Sequence, residues 1–93
     1  MASKYAFSSA VRELRFALCQ SSSQSAATRN FLLRAYPTMK KHNPHTPILI
    51  REAQNVEPKV YARYEFGKEK MLPLSGLDDA TIESKVTELV KSS

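Results

Sequence analysis

The first part of the chain shows two different hydrophobic periods. Leu14, Phe16 and Leu18 alternate with polar or small residues, which is the two-residue period of a strand with one buried face. This alternation predicts a strand over 11–19. Over 26–41 the apolar positions instead recur every three or four residues, and this spacing predicts an amphipathic helix with one buried stripe.

Prolines interrupt the pattern three times. Pro37 falls inside the helical stretch, so we expect a kink or an early end of the helix there. Pro44 and Pro47 force extended backbone before them, because the residue preceding a proline avoids the helical region. The continuous apolar run 48–50 follows, and it predicts a strand over 47–53 that is covered on both faces of a sheet.

The rest of the chain predicts a hairpin and a second helix. Aromatic and β-branched residues are frequent over 59–66, and a shorter segment of the same kind covers 69–74. Gly67 supplies the turn between these two strands. Asp78 precedes a second helical stripe and has the residue type of a helix N-cap.

The element order β-α-β-β-β-α indicates a small α/β domain of the thioredoxin-like type. Its four-stranded mixed sheet would hold the first two strands parallel, joined by the first helix. The chain has 93 residues, enough for one hydrophobic core. We expect a single domain over 1–93, with 1–10 as a flexible N-terminal extension. A domain of this size is marginally stable, so a partner subunit would add to its stability.

The composition narrows the classes of partner without choosing one. The formal net charge is +5, which favours an acidic partner such as nucleic acid, anionic lipid or an acidic protein surface. A solvated excess of basic residues that keeps the protein soluble is an equally simple interpretation. No apolar run approaches the length of a membrane-spanning helix, so we expect no direct membrane insertion.

The sequence offers little for catalysis or cofactor binding. Gly67 and Gly76 are its two glycines, so no glycine-rich phosphate loop or dinucleotide motif exists. His42 and His45 lie close in sequence, but prolines around them and the lack of further ligands argue against a metal site. We therefore expect no catalytic site, no cofactor, no metal and no small-molecule substrate.

Cys19 is the one residue with a specific chemical alternative. As the sole cysteine it cannot form an intramolecular disulfide, and a reducing compartment is the simpler interpretation. It begins a C-x-x-S motif ending at Ser22, where a helix N-terminus could activate a redox thiol. We favour a buried strand-end cysteine. Pro58 likewise stands where thioredoxin-like folds often hold a cis proline, or is an ordinary proline at the start of a strand.

Four segments carry a family resemblance: LRFALCQ at 14–20, KKHNP at 40–44, PILIRE at 47–52 and ARYEFG at 62–67. Over nearly its whole length the chain resembles the small thioredoxin-like accessory subunit of mitochondrial NADH:ubiquinone oxidoreductase, respiratory complex I. The resemblance implies a nuclear-encoded, non-catalytic subunit that supports assembly and stability. It also implies a peripheral place on the matrix side of the inner membrane, in the matrix arm near the large iron-sulfur subunit.

One position departs from this family. Relatives such as the mammalian forms carry a second cysteine directly after the Arg-Glu pair, where it could bond with the first. Here that position is Ala53, so an intramolecular redox switch is impossible in this chain. Two alternatives stay open: a mitochondrial ribosomal protein of the same fold that binds ribosomal RNA, and a monothiol redox protein that uses Cys19.

The residues expected to contact partner subunits are arginines and tyrosines. Arg51 and Arg63, with the neighbouring Tyr61 and Tyr64, belong to the residue types that are enriched in the buried centres of interfaces. The alternative for Arg51 is an ion pair on the sheet surface, which would contribute at most about 1 kcal/mol.

Overall fold

The computed structural model describes residues 7–19 and 23–91. Within them lie β1 Val11–Leu18, α1 Ala26–His42, β2 Ile48–Glu52, β3 Lys59–Tyr64, β4 Glu69–Pro73 and α2 Asp79–Lys91. Short 3-10 turns precede α1 and separate β3 from β4. The predicted α/β class and the four strands are confirmed, with strand ends that differ from the prediction by one or two residues.

The four strands form a single mixed sheet in the order β2-β1-β3-β4. β1 runs parallel to β2 and antiparallel to β3, and β4 pairs antiparallel with β3. Leu14, for example, lies between Ile48 of β2 and Ala62 of β3. The long connection through α1 permits the parallel pair, whereas the short turn before β4 requires an antiparallel one.

The core lies between the sheet and the two helices of the described chain. Alternate residues of β1 and β3 pack in one cluster with the apolar stripes of α1 and α2. Phe16 of β1 and Phe31 of α1 are fully buried, and their ring centroids lie 6.3 Å apart. Because both helices contribute to this one cluster, they cover the same face of the sheet.

The prediction that β2 is covered on both faces is wrong. Ile48 is buried, but Leu49 and Ile50 keep 48% and 40% of their surface exposed. Two features of the tertiary structure explain this difference. β2 is an edge strand, and the helices cover only one face of the sheet. A continuous apolar run therefore need not be a doubly covered strand.

A kink or an early end was predicted at Pro37, and the early end does not occur, since α1 continues to His42. Pro37 cannot donate to the carbonyl of Leu33, yet both residues lie on the exposed side of the helix. Beyond the proline, Met39 is fully buried. The packing of this last turn against the core offsets the loss of one backbone hydrogen bond.

Part of the predicted flexible extension is held against the domain. The Ser8 N–H donates to the Val90 carbonyl at 2.8 Å, and the Phe7 N–H donates to the Asn43 side chain at 3.0 Å. Ala10 is buried. Because of these contacts, residues 7–10 belong to the folded domain. Residues 1–6 lie outside the described part of the chain.

Asp78 caps α2 as predicted, and the cap gives a pH dependence. The Thr81 N–H donates to Asp78 Oδ1 at 2.8 Å, and hydrogen bonds from Thr81 lower the pKa of Asp78. This contribution to stability is therefore present above the unfolded pKa of about 3.9 and is lost as the pH falls through the lower folded pKa.

We expect Asp78→Asn, which keeps a capping side chain without the charge, to lose less stability on acidification than the unaltered chain. Thermal melts followed by circular dichroism between pH 7 and pH 3 measure the difference. Parallel curves for the two proteins would show that the carboxylate of Asp78 contributes nothing to the pH dependence.

Candidate docking face

The face of the sheet opposite the helices is covered by no helix or strand within residues 7–19 and 23–91. We call it the open face. Strand alternation and register place on it side chains from all four strands. These residues are Glu13, Arg15, Ala17, Leu49, Arg51, Lys59, Tyr61, Arg63, Glu69, Met71 and Pro73.

An apolar strip crosses the middle of the open face. Leu49 lies opposite Arg15, Arg15 opposite Tyr61, and Tyr61 opposite Met71 in the register of the sheet. Leu49 and Met71 are 48% and 45% exposed. The Arg15 guanidinium lies 5.2 Å from the centroid of the Tyr61 ring, a distance typical of a cation–π contact. The strip thus combines exposed aliphatic side chains with a stacked Arg-Tyr pair.

Positive charge flanks the strip. Arg15 is paired with Glu13 at 3.2 Å and with Glu69 at 3.4 Å. In contrast, Arg51, Lys59 and Arg63 form no ion pair with another residue of the described chain. Three cations that no acidic residue of the described part of the chain neutralises therefore surround an apolar centre, an arrangement suited to an acidic partner surface.

The structure brings together three of the four residues expected to contact a partner. Arg51, Tyr61 and Arg63 all lie on the open face. The prediction for Tyr64 is wrong, because it alternates with Arg63 along β3 and faces the helices. Tyr64 is 5% exposed, its hydroxyl donates to the Leu89 carbonyl, and burial raises its pKa. It joins β3 to α2 and is not available to a partner.

Sequence reasoning missed the apolar strip itself. The alternation in β1 already separates Arg15 from the core positions, so a signal for that residue existed. No comparable signal exists for Leu49, because its run of three aliphatic residues shows no alternation. Its place beside Arg15 follows from the pairing of β1 with β2, which joins residues 34 positions apart in sequence.

Cys19 lies at the end of β1 and is 2% exposed. Its N–H donates to Ser25 Oγ at 3.0 Å, and its carbonyl accepts a hydrogen bond from Arg29 at 2.9 Å. This burial supports the structural interpretation of the cysteine, whereas Ser22 lies outside the described residues. Every peptide bond that the structure describes is trans, including the one before Pro58, a buried residue directly before β3.

The described residues contain no cluster of three or more histidine, cysteine, aspartate or glutamate side chains that could hold a metal ion. His42 and His45 are both exposed. In the same part of the chain, no helix is long and apolar enough to span a membrane.

A second apolar surface lies between α1 and the edge strand β2. It is a groove of about 330 Å³, lined mainly by Leu32, Leu33, Tyr36 and Ile50. Leu33 projects from its rim and is 79% exposed. This surface is smaller and less charged than the open face.

Comparison with known proteins agrees with a subunit of a larger assembly. The family described as the mitochondrial ribosomal protein L51 / S25 / CI-B8 domain matches residues 28–79. The NADH-ubiquinone oxidoreductase 10.5 kDa subunit of Neurospora crassa is 58% identical over 92 residues, which cover 99% of this chain and 98% of the relative.

Two further relatives carry the same kind of name. The NADH dehydrogenase [ubiquinone] 1 alpha subcomplex subunit 2 of Arabidopsis thaliana is 45% identical over 99% of this chain and 95% of its own length. The mouse protein of that name, from Mus musculus, is 48% identical over 72% of this chain and 68% of its own length. The chain therefore belongs to the L51 / S25 / CI-B8 domain family, and within it to the small subunits of mitochondrial NADH:ubiquinone oxidoreductase.

Proposed function

We propose that the chain is a non-catalytic accessory subunit of respiratory complex I that supports assembly and stability of the matrix arm. The observation that carries this proposal is the open face, which presents on one side of the sheet an apolar strip and three cations without an ion pair among the described residues. A protein whose relatives are named as complex I subunits has, in this face, a surface suited to another subunit.

The docking contacts follow from the charges of the open face. Arg51 and Arg63 provide positive charge on opposite sides of the apolar strip, and Tyr61 lies between them within it. This pattern favours an acidic partner surface. The family resemblance suggests the large iron-sulfur subunit, on the matrix side of the inner membrane, as the subunit that carries it. Binding that buries the strip stabilises the folded chain, because a partner that binds only the native state shifts the folding equilibrium toward it.

A four-stranded mixed sheet with two helices is consistent with a thioredoxin-like domain. We propose that this domain carries out no thiol redox reaction. Two features support this interpretation: Cys19 is buried, and Ala53 stands where the resemblance implies a second cysteine in relatives such as the mammalian forms. The protein then works as a scaffold, and electron transfer belongs to other subunits.

The alternative is a ribosomal protein, because the description of the family also names mitochondrial ribosomal proteins. The open face could contact phosphate through its cations, but it offers a single aromatic ring, Tyr61, and Arg15 already lies over it. Recognition of single-stranded RNA usually needs several stacking platforms. The three relatives named above favour the respiratory complex.

The test is to tag the full chain, solubilise mitochondria gently, and separate native complexes by gel electrophoresis with in-gel NADH dehydrogenase staining. We expect the tag to migrate with that activity and with the iron-sulfur subunits identified by mass spectrometry. Cells that lack the chain should accumulate less of the assembled matrix arm. Migration with ribosomal RNA would instead support the ribosomal alternative and contradict the proposal.

A further inference from the structure

The turn between β3 and β4 presents an exposed aromatic side chain. Phe66 keeps 92% of its surface exposed, the largest exposed fraction of any large hydrophobic residue in the described chain. It lies at φ 65° and ψ 22°, in the left-handed region, and Gly67 follows at φ 75°. Both its exposure and its backbone conformation are unfavourable for a phenylalanine.

The base of this turn is held firmly in place. The Tyr64 N–H donates to the Lys68 carbonyl at 2.7 Å and closes the turn. The Glu65 N–H donates to the Ala10 carbonyl at 2.9 Å, and the Glu65 carboxylate pairs with Arg12 at 3.3 Å. The tip therefore presents the ring of Phe66 from a defined position.

The Phe66 side chain is almost fully exposed, so its own packing within the described chain offsets little of the cost of this conformation. Two consecutive residues of this turn have positive φ, and asparagine tolerates the left-handed region better than phenylalanine does. Here Phe-Gly occupies the two positions. Unfavourable backbone conformations of this kind often accompany binding sites, where contacts with a ligand or partner offset their cost.

We propose that Phe66 is an anchor that inserts into an apolar pocket with an acidic rim on a neighbouring protein subunit. This inference rests on the proposed function and adds a contact at one end of the open face, next to Arg63 and Glu69. A buried aromatic side chain inserted into a pocket is a common source of binding energy in protein interfaces.

The charges around the tip specify the rim of that pocket. The acidic groups near the turn are already paired, Glu65 with Arg12 and Glu69 with Arg15. Lys68 is exposed and forms no ion pair with a described residue, and Lys70, also exposed, lies near the Tyr64 ring instead. The surroundings of Phe66 thus carry a net positive charge, which an acidic rim on the partner would complement.

A lipid surface fits these observations less well than a protein pocket. Charged residues flank Phe66 on both sides of the turn, so it is not part of an apolar patch. Stable membrane binding needs a larger apolar face or a second anchor. A single ring at the tip of a hydrogen-bonded turn suits insertion into a protein pocket better.

The test compares Phe66→Asn with the unaltered chain in cells that lack their own copy. Asparagine tolerates the left-handed backbone at position 66, so the melting temperature of the purified variant should rise by about 4 °C or more. At the same time, the fraction of the chain that migrates with NADH dehydrogenase activity on a native gel should fall at least about fivefold. A variant that is more stable but assembles less well would show that Phe66 contributes to binding a partner and not to folding.

Phe66→Leu is the matched control, because it keeps an apolar side chain at the tip, and it should retain most of the incorporation. Unchanged incorporation of Phe66→Asn would overturn the anchor while leaving the accessory-subunit proposal intact. A lower melting temperature of Phe66→Asn would overturn it too, since contacts within the chain would then hold the ring. Phe66-dependent flotation of the chain with vesicles of phosphatidylcholine and cardiolipin would assign the tip to lipid and equally overturn the proposal.

Discussion

A Phe16→Ala variant of the chain will be about 3–5 kcal/mol less stable than the unaltered protein. Phe16 is fully buried at the centre of the sheet and packs against Phe31 of α1. Removing the ring leaves a cavity that the neighbouring strands and helix can fill only in part. Because a domain of this size has about 5–15 kcal/mol of stability in total, the variant loses a large share of it.

Urea unfolding followed by circular dichroism measures this loss, and Phe66→Ala is the control. It makes the same chemical change at a side chain that is 92% exposed, so its free energy of unfolding should change by less than about 1 kcal/mol. Equal losses for the two variants would contradict the position of Phe16 at the centre of the core. In cells, Phe16→Ala should also lower the amount of chain that reaches the complex.

Reversing the charge of the open face should prevent assembly without unfolding the chain. In the double variant Arg51→Glu, Arg63→Glu, both side chains are exposed and neither takes part in an ion pair within the described chain. Like charges facing an acidic partner are strongly unfavourable, so incorporation into the complex should fall at least about tenfold. Native gels measure incorporation, and circular dichroism checks that the fold is retained.

Lys85→Glu provides the control for a change of charge outside the open face. Lys85 is exposed on α2, on the side of the molecule that carries the helices. We expect this variant to assemble normally. Normal assembly of the double variant would exclude Arg51 and Arg63 from the interface. If the double variant fails to assemble, the single variants Arg51→Glu and Arg63→Glu are compared next. A defect only in the double variant would show that the two arginines act together.

The strand and helix periods predicted most of the secondary structure because they depend on local patterning. The alternation around Phe16 and the three- and four-residue spacing around Phe31 identified β1 and α1, and Asp78 identified the start of α2. The errors concern positions where packing overrides a local rule. Pro37 stays within a helix because Met39, in the turn after it, is buried in the core, and β2 lies at an edge despite its apolar run.

The candidate site was predictable only in part for the same reason. Residue type alone favoured Arg51, Tyr61, Arg63 and Tyr64, but one step along β3 separates an exposed side chain from a buried one. Tyr64 lies on the buried side, and its hydrogen bond to the carbonyl of Leu89 belongs to the core. The exposure of Phe66 depends on a turn conformation that its residue type disfavours, so no propensity rule predicts it.

The sequence by itself determined the α/β class, the order of the elements, the N-cap of α2 and the resemblance to a family of respiratory subunits. These features depend on residue type and spacing along a short stretch of chain. The tertiary structure alone decided which face of the sheet stays uncovered. That choice depends on two helices packing on the same side, and on a parallel pairing that brings Leu49 beside Arg15 across 34 positions.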